Sequence, residues 1–222
     1  MTSLMKNVLS CAMTALIVAG GVALSAQSAM AAGSDAFNRK ALGGSWVSTT
    51  GTLSISSHQL VGQTGSLGYL KSSSKDTAAS AVLSLGGTDL EFGAVALGNI
   101  GGGSNAFVKL QAQNSAGTFD HAGFYTGNNS GSTYFTLSSP IPSPAVVDVF
   151  FCGTVATLRI TSAAGVQVYT NDYGTTFGAG GGLGTFGAIS IDNYVGFKSG
   201  CADVPAGRNV HTMPHAVDKA AR

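Results

Sequence analysis

The chain has 222 residues, with 11 Lys+Arg against 10 Asp+Glu and a formal net charge of +1, and no segment concentrates its basic residues. No nucleic-acid or anionic membrane partner is expected, because both call for a basic cluster. With 9% charged residues and 32 Gly among many Ser, Thr, Val and Phe, the chain reads as a globular domain of strands and turns, and a helical bundle or coiled coil is excluded.

Residues 1–31 read as a secretory signal peptide. Lys6 gives a short positive start, residues 8–24 are mostly apolar, and Ala29-Met30-Ala31 fits the small-x-small rule, so cleavage is expected before Ala32. The apolar stretch is short for a bilayer and interrupted by Gly20 and Gly21, so no membrane insertion is expected after cleavage. Cys11 leaves with the leader, and Cys152 and Cys201 remain as one pair that an oxidising compartment would bridge. Closing a loop of about 50 residues contributes on the order of 4 kcal/mol in the chain-entropy account.

Further along, apolar residues alternate with a period of two. The runs are Leu53 and Ile55; Ala106, Val108, Leu110 and Ala112; Phe135 and Leu137; Val147, Val149 and Phe151; Ala156, Leu158 and Ile160; Val166 and Val168; Ile189 and Ile191. Glycine-rich or Asn/Ser-rich breaks at 86–87, 101–104, 128–132, 163–165 and 178–184 separate them. About ten to twelve short strands, each with one apolar face, are best buried as two antiparallel sheets packed face to face. The domain is expected over residues 32–199, followed by a tail at 200–222 that is flexible after Cys201.

The opening Asp35-Ala36-Phe37-Asn38-Arg39, then Leu42-Gly43 and Trp46, resembles the entry to bacterial secreted domains of the concanavalin A-like lectin/glucanase superfamily, which includes LamG-like domains. Leu158 to Ile160, Gly165, Tyr169, Phe177-Gly178, Gly182-Leu183-Gly184 and Ile191-Asp192-Asn193-Tyr194 are similar to its last strands. The resemblance spans residues 35–197 and implies an all-β, two-sheet antiparallel jelly-roll sandwich whose sheet face meets carbohydrate. It requires no cofactor but implies a structural calcium, with Asp192 and Asp35 as the candidate carboxylates. The alternative for both aspartates is turn capping.

The superfamily contains glycanases, which use paired carboxylates on one strand face. Glu91 is the only glutamate in the chain, and the segment Thr88-Asp89-Leu90-Glu91-Phe92 lacks the third carboxylate of the glucanase pattern, so it reads as a solvated outer strand. The Gln-Ile-His signature of jelly-roll lyases is missing, although His121 and Tyr125 share a strand face with Arg159 as a third candidate. Gly182 to Gly187 matches Gly-x-Gly-x-x-Gly without a following helix and reads as a glycine turn. His211 and His215 have a zinc-like spacing that Pro214 breaks.

The remaining candidate site is a sheet face. If Val108 and Leu110 face the core, then Phe107, Lys109, Gln111 and Gln113 face outward; the same alternation turns out His121, Tyr125, Tyr134, Thr136, Asp148, Thr157 and Arg159. Rings offer flat surface to sugar C–H faces, and amides and charges meet the hydroxyls. The candidates for carbohydrate contact are Lys109, Gln111, His121, Tyr125, Tyr134 and Arg159, with Tyr125→Ala expected to leave stability nearly unchanged. The sequence thus points to a secreted, non-catalytic, lectin-like protein with a polysaccharide or glycan partner. A structural or adhesive envelope or matrix protein without sugar binding stays open, as does a weak glycanase or lyase.

Overall fold

The computed structural model describes residues 33–62, 65–100, 104–113, 117–127 and 133–210. The leader with its cleavage site before Ala32, Cys11, His211 and His215 lie outside the described residues.

The period-two segments form strands throughout. In chain order these are β1 (Gly33–Asp35), β2 (Trp46–Thr50), β3 (Leu53–Ser56), β4 (Gln59–Gly62), β5 (Ser66–Leu70), β6 (Ala78–Ser84), β7 (Glu91–Asn99) and β8 (Ser104–Ala112). They continue as β9 (Thr118–Thr126), β10 (Thr133–Pro142), β11 (Ala145–Cys152), β12 (Val155–Ser162), β13 (Gly165–Asp172), β14 (Gly181–Phe186), β15 (Ser190–Phe197) and β16 (Arg208–Asn209). A nine-stranded sheet runs β16-β13-β12-β11-β6-β15-β4-β3, with β1 also pairing with β15; a seven-stranded sheet runs β10-β9-β8-β7-β14-β5-β2. Every pairing is antiparallel except β13 with β16.

The core lies between the sheets because each contributes one apolar face. Val147 faces Ile160 and Val149 faces Leu158 across β11 and β12, and all four are fully buried. Val95, Val108, Leu110, Phe124, Phe135 and Leu183 of the other sheet join the same cluster. Full burial of side chains of this size stabilises by about 1.5–3 kcal/mol each, which suffices to fix the register, since a slip by one residue would turn the whole set outward. The two-residue hairpin between Cys152 and Val155 places Gly153 at φ +62°, where a Cβ would be strained.

The chain ends are tied down by polar contacts. Asp35 accepts hydrogen bonds from Phe37 N (2.8 Å) and Trp46 Nε1 (2.7 Å) and pairs with the Arg39 guanidinium. Trp46 packs against Phe37 and Tyr194, with centroids at 5.7 and 5.4 Å. The opening motif is thus an anchor holding the first strands to β15. Cys152 and Cys201 form a disulfide with Cα atoms 5.2 Å apart, as the cysteine count predicts. Order extends beyond Cys201, contrary to the expected tail: β16 pairs with β13 and Val210 is fully buried in the core. Val204 and Val210 stand six residues apart among proline, alanine, glycine and polar positions, so the segment gives no periodic signal.

Two local expectations are corrected. The run from Gly182 is strand β14 rather than a turn, and a Cβ at Gly182 would collide with Gly68 O of the neighbouring strand. Glu91 is fully buried rather than solvated, with its carboxylate accepting from Gly86 N (2.7 Å), Thr88 N and Thr88 Oγ1 (2.8 Å). It serves as the cap of the turn before β7.

Candidate functional site

The outer face of the seven-stranded sheet follows from the ladder register. One row crosses it as Thr136, His121, Gln111, Phe92 and Phe186; the next as Tyr134, Gly123, Lys109, Ala94 and Gly184; a third as Tyr125, Phe107, Ala96, Gly182 and Tyr69. Rings flank a floor of glycine and alanine, because β7 and β14 alternate small outer residues with the apolar inner residues Val95, Leu97 and Leu183.

The aromatic groups pack in pairs. His121 stacks on Tyr134 with centroids 5.2 Å apart and planes at 12°, and Phe107 stacks on Tyr125 at 5.4 Å and 8°. Lys109 Nζ lies 4.1 Å from the Tyr125 centroid and 4.2 Å from that of Phe92. Asp120 Oδ1 stands 2.9 Å from His121 Nδ1 and accepts from Gln113 N at 3.0 Å, while Thr136 Oγ1 lies 3.3 Å from His121 Nε2. Gln113 Nε2 donates to the Tyr134 hydroxyl.

In the centre of the first row, Gln111 is fully buried, yet neither its Nε2 nor its Oε1 has a hydrogen-bond partner. Asn105, further along the same outward register of β8, is 4% exposed with Nδ2 also unpartnered. Native proteins rarely leave buried amides unsatisfied, so these two are the chemical anomaly of the face.

Of the six predicted contact residues, the structure brings Lys109, Gln111, His121, Tyr125 and Tyr134 together on this face. Arg159 is not among them: it sits on β12 in the other sheet, where Nε donates to Asp148 Oδ2 at 2.8 Å and the guanidinium lies 5.4 Å from the Phe150 ring. Alternation gives a residue's face but not its sheet, so Arg159 was grouped with the wrong partners. Tyr125 does face away from the main core, but it is fully buried: its ring lies over Gly123, where a Cβ would collide with it. Asn105 and Phe92 were missed, although extending the alternation of β8 by one step reaches Asn105.

Asp35, one of the two expected calcium carboxylates, does not fit a cation. Burial raises the Asp35 carboxyl, but Arg39, Phe37 N and Trp46 Nε1 more than offset this and hold it below its ordinary value, with both oxygens engaged. Asp192 Oδ1 accepts from its neighbour Asn193 N at 2.8 Å, the local capping role. A separate cavity of about 120 Å³ lies at the rim of the sheet, bounded by Tyr69, Ser74, Asn99, Ile100 and Gly180.

No family model and no curated protein matches the chain. Solved structures do. The CBM2 module of the evolved Dit of Lactobacillus casei BL23 phage J-1 overlays with a TM-score of 0.50 at 9% identity, covering 74% of this chain and 94% of that one. A Crh5 transglycosylase in complex with NAG gives 0.50 at 12% identity over 79% and 88%. The carbohydrate-binding module CBM66 from Bacillus subtilis gives 0.49 at 13% identity over 67% and 91%. At such identities the likeness is one of fold, the two-sheet jelly-roll sandwich.

Proposed function

We propose that this is an exported protein that binds carbohydrate on the outer face of its seven-stranded sheet, without cleaving it. The observation that carries this reading is the pair of unsatisfied amide atoms on Gln111, set among His121, Tyr134, Lys109 and Phe92. A sugar hydroxyl both donates and accepts, so a vicinal pair satisfies an amide's Nε2 and Oε1 together, while the neighbouring rings cover C–H faces. Gln111 is fully buried, so a ligand at its amide would require part-exposed His121, beside exposed Thr136, to move aside. The structural likeness to a carbohydrate-binding module and to a transglycosylase in complex with NAG supports the ligand class.

The role of Glu91 supports the non-catalytic reading, since a carboxylate holding three donors of its own turn is not placed to protonate a leaving group. Export rests on the residues 1–31 leader pattern and on the disulfide, which suits an oxidising compartment. Screening the protein from Ala32 onward against immobilised polysaccharides tests the reading. Retention on one glycan class supports it; no retention on any favours a structural or adhesive role; and release of reducing or unsaturated ends marks an enzyme.

A further inference from the structure

At one end of the sandwich the fold gathers lysines that the sequence keeps apart. The turn 71–77 between β5 and β6 carries Lys71 and Lys75, and the segment after β15 carries Lys198; all three are exposed. Thr77 joins the two segments: its N donates to Phe197 O and its Oγ1 accepts from Ser199 N, both at 3.0 Å, on either side of Lys198. Lys71 reaches the loop before β2, where its Nζ donates to Gly44 O at 2.7 Å and its N to Ser45 O at 3.0 Å. The same loop carries Lys40, also exposed.

Carboxylates leave this end uncompensated. Asp35 is paired with Arg39, and Asp76 is fully buried. Asp172 and Asp203, on the side of the disulfide, accept from Gly174 N and Gly200 N of their own turns at 2.9 and 3.1 Å. Lys40, Lys71, Lys75 and Lys198 form no ion pair among the described residues. The opposite strand ends are the reverse: the loops 85–90, 142–145, 162–165 and 187–190 contain Asp89 and neither Lys nor Arg. Charge is therefore separated along the strands, although the whole chain carries a formal +1.

Like charges gathered without counter-charges repel one another, and a bound polyanion relieves that repulsion while gaining their attraction. We propose that this lysine end binds an acidic polysaccharide, one bearing carboxylate or sulfate groups. The inference rests on the carbohydrate-binding reading and adds the charge of the ligand. Lysines act as point charges on carboxylate and sulfate, and the exposed Ser34, Asn38, Ser72 and Ser74 among them offer hydroxyls and an amide to sugar hydroxyls. The 120 Å³ cavity bounded by Tyr69, Ser74 and Asn99 lies beside the same turn, and Tyr69 ends the third row of the outer sheet face, so the two surfaces adjoin. A membrane is disfavoured, because the large apolar side chain exposed among the described residues is Val166, near the start of β13 at the opposite end. Nucleic acid finds no exposed ring here on which to stack a base.

The test measures binding of the protein from Ala32 onward to immobilised polygalacturonate and dextran sulfate, with dextran, polyglutamate, double-stranded DNA and phosphatidylglycerol vesicles for comparison. Binding to an acidic polysaccharide is expected at low ionic strength, weakened more than about tenfold at about 0.5 M salt. The triple variant Lys40→Gln/Lys75→Gln/Lys198→Gln changes three exposed side chains that hold no ion pair. It should bind the acidic polysaccharide about tenfold more weakly and melt within about 2 °C of the wild type. The proposal is overturned by binding to neither acidic polysaccharide, by equal binding to dextran, by equal or stronger binding to polyglutamate, DNA or vesicles, or by a triple variant that binds as the wild type does. Gln111→Leu separates the two readings. If it loses a neutral glycan that the triple variant keeps, the sheet face stands and the lysine end falls; a loss on polygalacturonate confined to the triple variant upholds the lysine end and moves the sugar site off the face.

Discussion

The ammonium of Lys109 lies 4.1 Å from the centroid of the Tyr125 ring, on a sheet face that points away from the main core. Lys109 is 2% exposed and Tyr125 is not exposed at all, so the outer face carries a second packed layer in which Tyr125 also stacks on Phe107. An outward direction along a strand therefore does not mean a solvated side chain.

Tyr125→Ala is expected to destabilise the protein by about 3 kcal/mol, lowering the melting temperature by roughly 10 °C. Thermal unfolding checks this. An unchanged melting temperature would restore the expectation drawn from alternation alone and would mean that the layer contributes nothing.

Reduction of the Cys152–Cys201 bridge is expected to lower stability by about 4 kcal/mol through release of the loop it closes. Unfolding with and without reductant measures the loss, and the Cys152→Ser/Cys201→Ser double variant should match the reduced protein. Titration of the unreduced, denatured exported protein should find no free thiol. One free thiol would show that Cys11 and its leader are retained, and two that the bridge is absent.

Acid should unlock the anchor at the chain entry. Asp35 is held below its ordinary value of 3.8, so on acidification the unfolded chain takes up this proton before the folded chain does. The stabilisation is complete above the ordinary value and is lost as the pH falls through the lower, folded one. Asp35→Asn should cost about 2 kcal/mol at neutral pH, from weakened bonds to Arg39 and Trp46. It should also flatten the fall in melting temperature below pH 4; an equally steep fall in the variant would assign acid sensitivity to other carboxyls.

Much of the fold is legible in the sequence because a two-sheet sandwich has a simple period. Ala156, Leu158 and Ile160 alternate on β12, Val147 and Val149 on β11, and each strand's inner face can be read without its neighbours. The pairing of Cys152 with Cys201 follows from there being no other cysteine after Cys11. Sheet membership is not legible, since it depends on contacts far apart in sequence: Gln111 and Arg159 read alike, yet one lies opposite His121 and the other opposite Asp148 in different sheets. Burial of polar side chains is equally hidden. Asp76 and Glu91 each follow a polar stretch that reads as loop, and only the folded chain shows that both are fully buried and that Glu91 caps a turn.

The central claim is that the amide of Gln111 is kept for a sugar, and Gln111→Leu tests it most directly. If the amide has no partner in the free protein, an apolar side chain of similar size should leave stability unchanged or raise it by about 1 kcal/mol, since a buried unsatisfied group is removed. Titration calorimetry of both proteins with the best glycan from the screen should then show affinity lower by more than about tenfold in the variant, the scale for a polar contact at a binding centre. Equal affinity in the two proteins would contradict the account and move the site off this face; a variant that melts well below the wild type would show that Gln111 serves the fold instead.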